Sequence, residues 1–165
     1  MVLRRCHLIV LSDAGQDGDF EFSDLGNAIR KIRIDLGIPI TFDDGINIYP
    51  RAQKRNGYHC ALGAIGYSKV DGDGTDGILV YIKPAFYGNE PRDIYQYAQS
   101  NQAFPHDPTA DQWFDESQFE SYRMLGAHVM ERIGRYALGE PRGKDVSLAE
   151  FVKKVRRYLN HPPGS

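Results

Sequence analysis

Cysteine is scarce. Cys6 and Cys60 are the only two in 165 residues and stand far apart, whereas secreted scaffolds stapled by disulfides carry more cysteines in shorter chains. Each lies in an apolar run, so the expected state is a buried free thiol. Soft or imidazole ligands at the short spacing of a metal centre are missing too, and no metal or cofactor is expected. Long hydrophobic runs are also lacking: nothing approaches the roughly 20 consecutive apolar residues that span a bilayer. Met1 to Val10 pairs two arginines with an apolar run, as a signal peptide does. The run Leu8 to Leu11 is too short for that purpose, however, and no small-residue cleavage site follows. A cytoplasmic location is therefore expected. Positive charge is not in excess, with 20 Lys and Arg against 22 Asp and Glu and a formal net charge of −2. A phosphate backbone would find no evident basic stripe, so nucleic acid is not an expected partner.

Two motifs that carry common chemistries are absent as well. A nucleophile elbow needs G-x-S-x-G, because only small flanking residues permit the tight strand-to-helix turn. The nearest string, Gly66-Tyr67-Ser68-Lys69-Val70, lacks the second glycine and falls at a hairpin end. A dinucleotide loop needs G-x-G-x-x-G after a strand. The corresponding string, Asp13-Ala14-Gly15-Gln16-Asp17-Gly18, lacks those glycines and is rich in acids that repel phosphate.

What is present reads as an α/β protein. Apolar residues make up 41% and charged residues 25%, an ordinary balance for a folded domain with a real core. Cys6 to Leu11 predicts a strand covered on both faces. Leu25, Ala28, Ile29, Ile32 and Leu36 recur at helical spacing, with Ser23 as N-cap and Gly37 as stop. Ile38, Ile40 and Phe42 alternate as in a strand, and Ile46 and Ile48 extend it beyond a turn at Asp43-Asp44-Gly45. His59 to Tyr67 and Ile78 to Lys83 predict an antiparallel hairpin with a long, flexible connection at 71–77. Pro91 begins a short helix through Tyr97. Tyr122, Leu125, Val129, Ile133 and Tyr136 mark one face of a longer helix. Ser147 and Glu150 form a capping-box pair ahead of a last helix with Leu148, Phe151, Val152, Val155 and Leu159 on its apolar face. The chain reads as one domain over 1–165, strand-rich over 1–85 and helix-rich over 86–165, with a mixed sheet, a hairpin and C-terminal helices.

Three residues stand out as site-adjacent candidates. Asp13 ends the first strand, where open α/β sheets bind ligands; the competing and favoured reading is a turn residue bonded to its own backbone. His106 and Asp111 lie in the polar and aromatic stretch 104–116. There Asp111, Asp115, Glu116 and Glu120 could supply a carboxylate pair for glycoside chemistry, and His106 a proton shuttle. Helix capping is the better reading for these acids, and packing the better one for Trp113 and Phe114. The loop 71–77 has the glycines and aspartates of a calcium loop. It puts Asp76 at the sixth position and Ile82 at the twelfth, where an EF-hand needs glycine and glutamate.

Several strings together resemble the C-terminal region of bacterial patatin-like phospholipases: Leu8-Ile9-Val10-Leu11-Ser12-Asp13-Ala14-Gly15, Asp24-Leu25-Gly26-Asn27-Ala28-Ile29-Arg30-Lys31, Arg33-Ile34-Asp35-Leu36-Gly37, His59-Cys60-Ala61-Leu62-Gly63, Tyr81-Ile82-Lys83-Pro84, and the run from Phe104 to Gly126. The likeness covers about Cys6 to Ile133. It implies the C-terminal portion of a three-layer α/β/α hydrolase that cleaves lipid acyl esters with a Ser–Asp dyad. The serine belongs to G-x-S-x-G and the aspartate to D-G-G or D-G-A, both upstream of the stretch that Leu8 begins. This chain has neither, and Asp13 falls one strand too late to be the dyad aspartate. The resemblance thus implies no catalytic residue here and a chain silent by itself. A lipid or acyl-ester substrate would be engaged only by the longer parent, which in this family can be membrane-associated. The rival expectation is a stand-alone interaction module. Either way, an unpaired sheet edge open to self-association is expected.

Overall fold

The structure is a computed structural model that describes residues 1–108, 110, 113–135 and 147–161. Its centre is a four-stranded mixed sheet built from β1 (Leu8–Ser12), β2 (Ile40–Thr41), β3 (Cys60–Ile65) and β4 (Gly77–Ile82), in the order β1-β4-β3-β2. β1 runs parallel to β4, with Leu8 opposite Ile78 and Ser12 opposite Ile82. β3 is antiparallel to β4, and β2 to β3. Five α-helices and two short 3-10 turns (Val2–Arg4 and Arg51–Gln53) accompany the sheet among the described residues: α1 (Ser23–Leu36), α2 (Ser68–Asp71), α3 (Arg92–Ser100), α4 (Glu116–Arg135) and α5 (Leu148–Leu159). The antiparallel pairing of β3 with β4 is the hairpin that the sequence predicts.

The continuous apolar run of β4 has a physical reason. Successive side chains point to opposite faces of a sheet, and here both faces are covered. Val80 and Ile82 join Cys60, Ile94, Leu125, Val129, Ile133 and Val155 in one core, beneath α3, α4 and α5. Leu79 and Tyr81 join Ile9, Ile65, Leu25 and Ile38 in a second core, with Ile29, Ile32 and Leu36 of α1 packed on it. β1 departs from the expectation of a strand buried on both faces: Ile9 is buried, but Val10 and Leu11 are 46% and 39% exposed. Among the described residues only β4 pairs with it, so β1 is a sheet edge.

Other local expectations need correction. Ser23 is the first residue of α1, and the N-cap is Phe22 in the left-handed region at φ 55°. The Asp17 carboxylate supplies what a capping side chain would, accepting from the amides of Glu21 (2.9 Å) and Phe22 (3.0 Å). Gly37 does stop α1, at φ 69°. Ile46 and Ile48 do not extend β2; the turn closed by Gly45 (N to Phe42 O, 3.0 Å; φ 72°) redirects the chain. The β3–β4 connection holds the helical turn α2, pinned where Asp76 accepts from the Ser68 amide at 2.8 Å. α3 runs three residues beyond Tyr97. The capping box at Ser147 and Glu150 forms as predicted, while Leu148 is exposed. Trp113 is 91% exposed instead of buried. Tyr136 lies outside the described residues.

Candidate functional site

Parallel pairing brings the carboxyl ends of β1 and β4 side by side, and the residues that follow each strand meet there. Lys83, directly after β4, is 1% exposed. Its Nζ donates to Asp13 Oδ2 at 3.1 Å and to the Gly15 carbonyl at 3.4 Å, and lies 3.5 Å from Asp17 Oδ2. Tyr81 Oη donates to the same Asp13 oxygen at 2.5 Å, and the Gly15 amide donates to Asp13 Oδ1 at 2.9 Å. A lysine can sit this deep only because carboxylates and a carbonyl replace its water. Burial pushes the Asp13 pKa up, but the bonds from Tyr81, Gly15 and Lys83 outweigh it and hold the group below the ordinary value. Burial and the adjacent carboxylate push Tyr81 up.

The favoured reading of Asp13, a turn residue bonded to its own backbone, is met. It closes a turn on its own backbone, and it also receives two side-chain donors. Its lone pairs are committed to Tyr81, Lys83 and Gly15, which leaves it little capacity to abstract a proton. The cluster braces the 13–22 loop, whose backbone holds two aromatic residues, Phe20 (φ 56°) and Phe22 (φ 55°), in the left-handed region. That conformation costs roughly 1–2 kcal/mol per residue and persists only where neighbours impose it. Here Asp17 does so.

His106 joins the same neighbourhood. Its ring packs edge-on against Phe20, centroids 4.7 Å apart, and is buried with neither nitrogen hydrogen-bonded. Burial first, then the Lys83 charge, lowers its pKa; the nearby Gly15 backbone and the aspartates oppose this in part. His106 also lines an open cleft of about 450 Å³ together with Phe20, Phe86, Phe104, Arg51 and Lys54. Of the three candidates from the sequence, Asp13 and His106 are therefore brought together, and Asp111 lies outside the described residues. Among the other acids, Asp115 caps α4 by accepting from the Gln118 amide at 2.7 Å, and Glu120 pairs with Arg123 at 2.6 Å. Asp115 caps the helix as expected, whereas Glu120 lies within α4 and pairs along its surface instead of capping.

Sequence reasoning did not single out Lys83, Tyr81 and Asp17. The available signal was a lysine placed immediately after a six-residue apolar strand, too close to the core to reach water easily. Among described residues no group of three His, Cys, Asp or Glu is arranged to hold a metal. The serine hydroxyls of Ser100, Ser121 and Ser147 are bonded to helix carbonyls or to the α5 cap, not to a histidine. Cys60 is a buried thiol whose pKa burial pushes up to about 12, the reverse of an activated nucleophile. No described helix is long and apolar enough to cross a membrane. Compared with known proteins, the chain matches no family model, no curated protein and no solved structure.

Proposed function

We propose that this chain is the C-terminal portion of a patatin-type lipid acyl hydrolase. It extends the central sheet and covers it with helices, while the nucleophile and its base come from the preceding part of the protein. By itself it hydrolyses no ester. The strings shared with that family motivate the reading, and the exposed edge of β1 is the observation that carries it. Among the described residues β1 has one neighbour, to which it is parallel, and parallel strands are ordinarily buried on both faces and between partners. Val10 is exposed on one face of this edge strand and Leu11 on the other, and Leu11 lines an apolar groove of about 310 Å³ formed with Met1, Leu3, Ile29 and Ile32. A further parallel strand on β1 needs a crossover connection, usually a helix packed on the sheet face. The groove offers such a helix a place.

Sequencing the DNA upstream of the Met1 codon tests the reading. An in-frame extension with G-x-S-x-G and then D-G-G shortly before Arg4 is expected, and purified 1–165 should not cleave nitrophenyl esters. Ester hydrolysis abolished by changing one of this chain's own residues would overturn it. The same edge also supports a second reading, an interaction module that pairs through β1 with a second copy. Light scattering coupled to size exclusion separates the two: a concentration-dependent dimer that Val10→Lys dissolves favours the module.

A further inference from the structure

The cleft beside His106 has an unusual balance of charge for a chain of net −2. Arg51 and Lys54 line it, and both also line an adjoining depression of about 340 Å³ with Arg55 and Phe86. Among the described residues no carboxylate pairs with any of these three cations; the ion pairs found there use Arg5, Lys83 and Arg123. Two of them are nevertheless held in place. The Arg51 guanidinium lies over the Phe86 ring at 4.8 Å and donates once, to the Ala98 carbonyl at 2.6 Å. The Arg55 guanidinium lies over Tyr49 at 4.0 Å. A guanidinium lying against a ring keeps in-plane N–H donors available to an anion.

The backbone that carries these cations is fixed as well. Tyr87 Oη donates to the Tyr58 carbonyl at 2.7 Å and accepts from the Tyr49 amide at 3.2 Å. Gly57 lies where any side chain would meet that hydroxyl at 2.6 Å. The remaining walls are apolar: Phe20, Phe86 and Phe104 are buried but border the cleft. Among the described residues no carboxylate lines either depression. Unpaired cations at the rim and aromatic walls below them match one chemistry.

We propose that this cleft binds an amphiphile with a single anionic head, carboxylate or phosphate. The head sits on Arg51 and Lys54 and the apolar body lies against Phe20, Phe86 and Phe104. A free fatty acid and a monoalkyl phosphate both have this form. Such binding requires no ester hydrolysis, so its failure and that of the acyl-hydrolase reading are distinguishable.

Amide NMR of the whole 1–165 chain, titrated separately with octanoate, octyl phosphate, octanol and inorganic phosphate, is the test. Saturable shifts at residues 51–54 and 99–106 are expected for the two amphiphiles, with affinity at least about tenfold above either octanol or phosphate. The stronger of the two anions identifies the head. Lys54→Gln, an exposed change, should weaken binding about tenfold, the usual scale for losing one hydrogen bond to a charged partner. Ala103→Phe, also exposed, should narrow the cleft and weaken the long-chain ligands while leaving inorganic phosphate unaffected. Octanol or phosphate binding as tightly as the amphiphiles would sink the proposal. So would affinities unchanged in both variants.

Discussion

Removing the Asp13 side chain tests whether the buried Lys83 is as dependent on its counter-ions as the geometry implies. Lys83 is 1% exposed and Asp13 15%, so the two partners are not equivalent. In Asp13→Ala the ammonium loses its nearest carboxylate and keeps Asp17 at 3.5 Å and the Gly15 carbonyl. Tyr81 Oη loses its acceptor, and the Gly15 amide loses its turn. Breaking a buried pair from one side costs roughly 3–5 kcal/mol; with Asp17 still present the lower end applies, about 3 kcal/mol. Lys83→Met leaves a carboxylate that still accepts from Tyr81 and Gly15 and still touches water, so about 1 kcal/mol is expected. The double variant Asp13→Ala with Lys83→Met should cost less than the sum, because it strands no buried charge. Urea denaturation followed by circular dichroism measures all three. If Asp13→Ala costs under about 1 kcal/mol, or Lys83→Met costs more than Asp13→Ala, the account of this cluster as a counter-ion brace is wrong.

Three further expectations concern the rest of the fold. His59 is buried with Nδ1 unbonded, and burial, then His128 and Arg132, lower its pKa to about 3. The unfolded chain therefore binds this proton near pH 6.5 and the folded chain only near 3. The stability from the neutral ring is complete above about pH 6.5 and is lost as pH falls, at up to about 1.4 kcal/mol per pH unit. Urea midpoints between pH 7 and 5 should show that slope in the wild type and a flatter one in His59→Phe. Ser147→Ala removes a capping box in which Ser147 Oγ accepts from the Glu150 amide at 3.2 Å and Glu150 accepts from the Ser147 amide at 2.9 Å. About 1 kcal/mol of stability should go with it, and an unchanged thermal midpoint would refute that. Finally, Cys6 is partly exposed and Cys60 buried, so a thiol reagent at pH 8 should label Cys6 quickly and Cys60 only on unfolding. Equal rates would mean that the sheet core opens easily.

The hairpin, α1 and α5 were legible in the sequence because each rests on local rules. Leu25, Ile29, Ile32 and Leu36 repeat at helical spacing, Gly37 permits the left-handed stop, and Ser147 and Glu150 cap each other within one turn. What was not legible depends on the parallel pairing of β1 with β4, residues about 70 positions apart. That register sets Lys83 beside Asp13 and makes Tyr81 a donor to it, and nothing in the local pattern of either segment encodes it. The N-cap was misplaced for a related reason: Asp17, five residues before Phe22, replaces the capping side chain through a loop path that periodicity does not describe. The expectation that β1 is covered on both faces came from its apolar run alone. An apolar run reports what a strand prefers to contact, not what is present to contact it.

That last distinction joins the brace to the edge. Among the described residues β1 has one hydrogen-bonded neighbour; its Val10 and Leu11 are exposed, and Leu11 lines an apolar groove. A strand in that position should fray or pair with whatever edge it meets. Its carboxyl end is nevertheless tied to the next strand by more than the ladder. The Asp13 amide donates to the Ile82 carbonyl at 2.9 Å, and the Asp13 carboxylate takes Lys83 and Tyr81. Side chains that lock the end of an edge strand to β4 keep the β1 face presented in one register. Under the proposed reading, a register held this firmly suits an incoming parallel strand, which must match it residue by residue. The brace and the open edge are therefore best understood together. Asp13→Ala, beyond its effect on stability, should loosen β1 and raise amide exchange at residues 9–12 above that at residues 78–81.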